Sequence, residues 1–580
     1  MAKILRRDTN QGTPPPSVLT ADGFLKFFSD KVESVRGATM GHPLPRILPT
    51  AVTSLSHFWA CTEDEVREVI MRSPSKSCSL DPIPTTILKE CIDDLLPFLT
   101  AMCNASLLEG HLPVSQRHAI ITPLIKKPHL DAADVKNYRP VSNLTFVSKV
   151  VERLVSGRLV GYLQENNLMP VEQSAYRRNH STETALLRVI SDLLNSMDKQ
   201  EVTLLGLLDL SAAFDCVDHD ILLSRLERTY GIEGLAIEWI RSFLMDRTQQ
   251  VAFRGQLSGI LRLVFGVPQG SVLGPLLFLL YTAELLDIIK DQGMKAHSYA
   301  DDTQVHVSTG AADVETAVQR FVSCTEKIES WMSSNRLKMN ADKTQVIWIG
   351  SRQQLAKVNI KEFQLLSANI LFSTTVFNLG VHLNSRLTMQ DHVAAMCRSC
   401  FFQLRQLRTI RSSLTTDAAK TLAQAFVGGR LDYCNSLLYG VSGELLRRLQ
   451  SVQNAAARFI TGTRKYDHIT PVLRSLHWLP VRQRIIFKIA TLMYRCLNGL
   501  APSYLAADCT VVSAIPGRRQ LRSATSGQLY IPRTRTVTFG PRSFKVCGPT
   551  IWNDLPARMK DPSLSFDSFR KLLKTFLFDK

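Results

Sequence analysis

Hydrophobic spacing changes character several times along the chain. Up to about Thr62 apolar residues are scattered, and Thr13-Pro14-Pro15-Pro16-Ser17 reads as an extended linker, so residues 1–62 are expected to be a weakly structured lead-in. Thr62 through Glu65 has the form of a helix start, a threonine cap with a glutamate three residues on, and Val66, Val69 and Ile70 follow on one face. This predicts a helical extension over 63–109. From Gly110 to Asn384, apolar runs of strand length alternate with amphipathic segments, the pattern of a mixed α/β unit. Beyond it the period is helical. Val393, Met396, Cys397, Cys400, Leu404 and Leu407 form one face, with Arg398, Arg405, Arg408 and Arg411 on the other. Leu445–Ile460 repeats that design, as does Ile485–Leu497 with Arg482, Arg484, Lys488 and Arg495 outward. The expectation is a helical bundle with a basic exterior, divided into 385–470 and a basic C-terminal region, 471–580.

Composition narrows the class. With 580 residues, 45% hydrophobic and 21% charged, the chain has room for several ordinary cores, which argues against disorder or a disulfide-stapled miniprotein. The twelve cysteines are scattered, and Cys397 and Cys400 have no second pair to complete a zinc set, so a reduced, intracellular setting in nucleus and cytoplasm is expected. No uncharged apolar run approaches the roughly 18 residues of a spanning helix, and no membrane partner is expected. The net charge of +18 is one-sided: from Ser385 onward there are 30 Lys and Arg against 10 Asp and Glu, while the rest has 39 against 41. An excess confined to the last third is the footprint of a polyanion-binding region.

Chemistry concentrates at two places. In His297-Ser298-Tyr299-Ala300-Asp301-Asp302-Thr303-Gln304-Val305-His306-Val307, β-forming residues flank two aspartates, which predicts a strand, a tight turn at Ala300-Asp301 and a returning strand. Adjacent carboxylates repel, and Mg²⁺, which prefers carboxylate oxygens, is the fitting counter-charge. The second place is Leu204-Leu205-Gly206-Leu207-Leu208-Asp209, a continuous apolar run ending in a carboxylate. A metal shared by Asp209, Asp301 and Asp302 would remove the cost of an unpaired charge at the end of a buried strand.

Asp209 with Phe214 five residues on, then Phe265-Gly266-Val267-Pro268-Gln269-Gly270-Ser271, then Tyr299-Ala300-Asp301-Asp302, resemble motifs A, B and C of reverse transcriptases. Asn137-Tyr138-Arg139-Pro140-Val141-Ser142-Asn143-Leu144 and Gln173-Ser174-Ala175-Tyr176-Arg177 are similar to fingers motifs of non-long-terminal-repeat retrotransposons. Leu337 to Thr344 resembles motif D, and Asn378-Leu379-Gly380-Val381 the primer grip. The ordered set spans about Ile120 to Asn384, and the last third resembles the jockey-like and chicken-repeat clades of long interspersed elements. The resemblance implies a right-hand polymerase with an α+β palm and fingers over 110–384, a helical thumb over 385–470, and RNA-templated DNA synthesis. It implies Asp209 and Asp301 as ligands of two Mg²⁺, or Mn²⁺ in their place, with Asp302 in support, and a Leu210 side chain that serves packing. Phe214 would sit under the nucleotide sugar and reject a 2′-hydroxyl. Gln269 and Gly270 would meet the nucleotide, Arg139 and Lys126 the triphosphate, with Lys127 an alternative to Lys126. Lys343 would give a proton to leaving pyrophosphate. None of His180, His219 and His297 is assigned catalysis. The expected partners are an RNA template, a DNA primer and dNTPs.

Relatives of this kind carry an endonuclease upstream, and the residues before 110 do not show its strand-rich pattern, so the chain reads as truncated, with an endonuclease-bearing element protein acting in trans. Two alternatives stand beside the enzyme: a decayed remnant that only binds nucleic acid, and an RNA-dependent RNA polymerase, against which Phe214 and the fingers motifs argue.

Overall fold

The computed structural model describes residues 19–76, 78–366, 368–514 and 527–579. The proline run at 14–16 lies outside them. An antiparallel four-stranded sheet of order β7-β8-β3-β9 forms its centre: β3 (Val202–Leu208), β7 (Lys295–Tyr299), β8 (Asp302–Thr309) and β9 (Gln345–Ile349). β3 is apolar but for Thr203 because both of its faces are covered. Leu204 and Leu208 belong to one hydrophobic core, Leu205 to a second. Gly206 is dictated by packing, since a Cβ there would lie 2.3 Å from Cζ of Phe321 on the helix Val314–Ser334.

A second sheet is built from β1 (His118–Ile125), β2 (Tyr138–Asn143), β4 (Arg247–Phe253), β5 (Gln256–Leu257) and β6 (Leu261–Leu263), in the order β2-β1-β4-β5 with β6 also on β4. Two hairpins follow: β10 (Glu362–Leu365) with β11 (Ala368–Leu371), and β12 (Thr375–Asn378) with β13 (Val381–Asn384). The second turns at the Leu379-Gly380 of the expected primer grip.

The lead-in differs from expectation. A helix spans Ala21–Thr39, capped by the Thr20 side chain on the Gly23 amide. Phe24 is fully buried against Tyr138 and Phe253, with ring centroids 4.9 and 4.8 Å away. Arg36 bonds Asp218 at 2.8 Å and lies over the Phe265 ring. Tertiary contacts therefore order a segment whose own pattern is weak. Downstream, Thr62 caps the helix Glu63–Arg72 through the Glu65 amide, and helices Thr85–Glu90 and Ile92–Leu108 follow.

After Asn384 the described chain is mainly helical, with long helices at Gln390–Thr409, Gly443–Thr461 and Val481–Leu497. Their apolar faces form one core with the helix Thr182–Asp198 and with Leu205, Ile347 and Ile349 of the central sheet, and this core continues without a break past residue 470. Cys397 and Cys400 are buried in it, in keeping with their place on the apolar stripe.

The expected basic exterior is partly consumed. The helix ends at Thr409, so Arg411 is not on its outer face: its guanidinium donates to the carbonyls of Phe459, Ile460 and Leu414. Arg484 is paired with Asp432, Lys488 with Glu183 at 3.2 Å, and Arg495 donates to Asn179, which ties this helix to its neighbours instead of to solvent. Arg398, Arg405 and Arg408 remain exposed.

Candidate active site

Sheet register brings the three aspartates to one edge. β3 pairs with β8 out to Leu208 opposite Thr303, so Asp209 and Asp302 both stand at the end of that ladder. β7 and β8 form the expected hairpin, with Tyr299 paired to Asp302 and Ala300-Asp301 at its tip. Ala300 adopts a left-handed backbone, φ 59°. Asp209 is held from behind, its carbonyl accepting from the Asn340 amide, while Ser211 donates to Lys338 and the buried Leu210 bridges Met339.

The electrostatics are those of crowded carboxylates. Desolvation, and after it the negative charge of Asp209, raise the Asp301 pKa above the usual carboxylate range. Asp302 is pushed up to about 6, first by desolvation and then by Asp301 and Asp209. Lys343 opposes this, its ammonium donating to Asp209 Oδ2 at 3.2 Å. Among the described residues no three His, Cys, Asp or Glu side chains converge as a preformed metal cage. The expected ligand set thus shares an edge without closing around a common point, and Asp209 is engaged by Lys343. The donor set still suits a hard divalent cation: all oxygen, with two carboxyls displaced upward by burial and then by the negative charge of neighbouring aspartates.

Beside this edge opens a cavity of about 490 Å³, and Lys126, Arg139, Phe214, Gln269, Gly270 and Asp301 all line it. Asp209, Asp302 and Lys343 lie outside its lining. Lys127 does not line it either, whereas Lys126 does, with its ammonium on the Lys136 carbonyl at 2.7 Å. Burial and then the charges of Lys31 and Lys343 lower the Lys126 pKa. Arg139 is exposed on β2. Phe214 sits on a 3-10 turn, Ala213–Cys216, entered through left-handed Ala212, and its ring stacks on Phe278 with centroids 4.3 Å apart. It is therefore both a packed aromatic and part of the cavity wall.

Gln269 and Gly270 are seated by β2: Ser142 donates to the Gln269 carbonyl at 2.7 Å, and a Cβ on Gly270, at φ +126°, would lie 2.5 Å from the Ser142 oxygen. The Gln269 Nε2 donates to both carboxylate oxygens of Asp215 at 2.8 Å, so the side-chain oxygen of this cavity-lining residue is not used in that pairing. Burial pushes Asp215 up to about 6.

Sequence reasoning assigned no role to Asp215, although it directly follows Phe214. It also missed Phe27, Phe28 and Lys31, which the helix Ala21–Thr39 contributes to the cavity wall. Their signal was three phenylalanines at helical spacing. His219, buried, is bonded through Nε2 to the Gly266 carbonyl, and His297 to Ser174 at 2.9 Å.

Residues 125–383 match the family model described as reverse transcriptase (RNA-dependent DNA polymerase). Over 443 residues the chain is 28% identical to the probable RNA-directed DNA polymerase from transposon BS of Drosophila melanogaster, covering 73% of this chain and 47% of the relative. It is 29% identical over 421 residues to the probable RNA-directed DNA polymerase from transposon X-element of the same species, at 71% and 45% coverage. To the RNA-directed DNA polymerase from mobile element jockey of that species it is 26% identical over 427 residues, at 72% and 46%. The chain spans about half the length of these curated relatives. Matched segment, sheet-edge aspartates and relatives agree: residues 125–383 carry the reverse transcriptase domain match, in a chain similar to the RNA-directed DNA polymerases of jockey and related mobile elements.

Proposed function

We propose that the chain is an RNA-directed DNA polymerase that extends a DNA primer on an RNA template with dNTPs. One observation carries the reading: Asp209, Asp301 and Asp302 share one sheet edge beside a cavity whose lining includes Phe214, Gln269, Lys126 and Arg139. In the right-hand description the central sheet is the palm, the sheet of β1, β2 and β4 belongs to the fingers, and the helices from Gln390 are the thumb.

Asp209 and Asp301, with Asp302 in support, would hold two divalent ions, which when bound stabilise the attacking and leaving oxygens of nucleotidyl transfer. Arg139 offers the triphosphate a planar fork and Lys126 a point charge. The Phe214 ring, backed by Phe278, closes the space that a 2′-hydroxyl needs and so selects deoxynucleotides by exclusion. Gln269, its amide nitrogen fixed by Asp215, presents an acceptor to the sugar. Lys343 holds a proton at the metal edge for the departing pyrophosphate, and the ammonium balances Asp209 until then.

The test is purified protein with poly(rA)/oligo(dT), Mg²⁺ and labelled dTTP. Incorporation is expected, and Asp301→Asn should lower it by at least about 10³-fold, roughly 4 kcal/mol of transition-state stabilisation, with primer-template affinity nearly unchanged. Parent protein that binds primer-template and makes no product would select the nucleic-acid binder instead. Preference for UTP over dTTP would select an RNA polymerase.

A further inference from the structure

The turn that carries Asp301 is clamped from outside its own hairpin. Segment Glu172–Ser174 runs alongside β7 as a short parallel bridge: Ser298 donates to the Glu172 carbonyl at 2.9 Å, and Ser174 donates to the Ser298 carbonyl at 3.0 Å. The bridge brings the Gln173 side chain, 3% exposed, against Ala300. There the carboxamide closes a two-point clasp. The Ala300 amide donates to Oε1 at 3.0 Å, and Nε2 donates to the Ala300 carbonyl at 3.2 Å. Oε1 also accepts from the Ala175 amide at 3.0 Å, which fixes the side chain to its own backbone.

The clasp grips an unfavourable conformation. Ala300 is left-handed without being glycine, and that costs about 1 kcal/mol or more unless the surroundings hold it. Both of its backbone polar groups are satisfied by one amide side chain. The next residue is Asp301, so the direction of that carboxylate follows from how Ala300 is held.

The segment bearing Gln173 is anchored in turn by a residue far beyond the matched domain. The Ser174 hydroxyl is hydrogen-bonded to Tyr504 Oη at 2.7 Å and to His297 Nε2 at 2.9 Å, and Tyr504 reaches Thr184 at 3.2 Å. Ser174, His297 and Tyr504 are all buried. Tyr504 also sets its ring edge-on to His297, with centroids 5.0 Å apart. A continuous chain of contacts thus runs from the C-terminal helices through Ser174 and Gln173 to the tip of the β7–β8 hairpin.

We propose that Gln173 is a positioning residue for the metal-binding turn, and that Tyr504 makes the C-terminal region part of the same catalytic unit by holding the Gln173 segment in place. This rests on the reading of Asp301 as a metal ligand. A carboxamide clasp that fixes a ligand's orientation belongs to the outer groups whose loss typically weakens metal affinity by about 10- to 100-fold.

The experiment measures Mn²⁺ binding by electron paramagnetic resonance in the full chain, held with template, dideoxy-terminated primer and dTTP so that no chemistry occurs. Gln173→Met keeps the volume and removes both hydrogen-bonding atoms. It should weaken Mn²⁺ binding about 10-fold and lower kcat in the running assay, with KM for primer-template unchanged. Tyr504→Phe, which deletes the hydroxyl that holds Ser174, should weaken Mn²⁺ binding about threefold in the same direction, less than Gln173→Met because it acts one contact further away. Parent-like Mn²⁺ binding and kcat in a folded Gln173→Met protein would overturn the proposal. If Gln173→Met does not fold, Ser174→Ala and Tyr504→Phe decide in its place by the same readouts. Asp301→Asn is the control. If it binds Mn²⁺ as the parent does, the metal-site reading itself has failed; if it loses Mn²⁺ while the Gln173 and Tyr504 variants keep it, only the positioning role has.

Discussion

Replacing Asp215 by asparagine should make the protein more stable at neutral pH and a poorer enzyme. The Asp215 carboxyl lies mostly buried beside the cavity, held by Gln269 and felt by Lys31, and its pKa stands at about 6 against an ordinary 3.8. The folded protein therefore binds this proton more tightly than the unfolded chain does. The stability that proton confers is fully present below pH 3.8 and is lost as pH rises through about 6. The gap corresponds to about 3 kcal/mol by which the ionised group weakens the fold at pH 7.5. Asparagine keeps the shape and cannot ionise, but its amide nitrogen now faces the Gln269 amide nitrogen, and one such mismatch costs about 1 kcal/mol. The net expectation is a gain of about 1–2 kcal/mol at pH 7.5 that shrinks on acidification and vanishes or reverses near pH 4. Urea denaturation of both proteins from pH 4 to 8 reads the difference directly, since the other carboxyls titrate in both. In the polymerase assay kcat/KM for dTTP should fall, because Gln269 loses the partner that orients it. A difference in stability that does not change with pH, or a variant less stable than the parent at pH 7.5, would refute the burial argument.

Further outcomes follow from the same geometry. Phe214→Val opens space beside Phe278, so the ratio of kcat/KM for dTTP over UTP should narrow on one template, and an unchanged ratio in a folded variant would return Phe214 to pure packing. Arg398, Arg405 and Arg408 changed together to Gln should flatten the dependence of log K on log salt and shorten products with single-nucleotide addition nearly intact, as read by binding titrations at several salt concentrations. Arg411→Gln should instead lower stability, by about 1–3 kcal/mol in urea denaturation, because it leaves the Phe459 and Ile460 carbonyls without their donor. Gly206→Ala forces a methyl group into the Phe321 ring and should destabilise by about 1–3 kcal/mol or more on the same measurement.

The aspartates were legible because their setting is extreme: an apolar run that stops at a carboxylate, and two carboxylates at a turn between β-forming residues, leave few structural solutions. The hairpin tip fell at Ala300-Asp301 as expected. The helix Ala21–Thr39 was not legible, since what orders it is the packing of Phe24 on Tyr138 and Phe253, residues more than a hundred positions away. Arg411 was misplaced because a helical period carries no mark of its own end, and the chain leaves the helix two residues before it. Asp432 and Glu183 likewise turned Arg484 and Lys488 from solvated charges into ties, which no local pattern announces. Deleting residues 385–580 would for the same reason be a poor test of nucleic-acid binding, as their core also covers Leu205, Ile347 and Ile349 of the central sheet.

The register of β3 has a consequence for how the protein is made. This strand sits between β8 and β9, both of which are synthesised long after it. At typical rates of about 5–20 residues per second, the stretch from Leu208 to Ile349 takes on the order of ten seconds to emerge. Until β8 emerges at Thr309, Val-Thr-Leu-Leu-Gly-Leu-Leu has neither neighbour, and one edge stays open until Ile349; an uncharged, largely apolar strand with open edges is a template for pairing between nascent chains. The same arrangement that buries the strand beneath Asp209 on both faces thus leaves its segment in need of shielding on the ribosome.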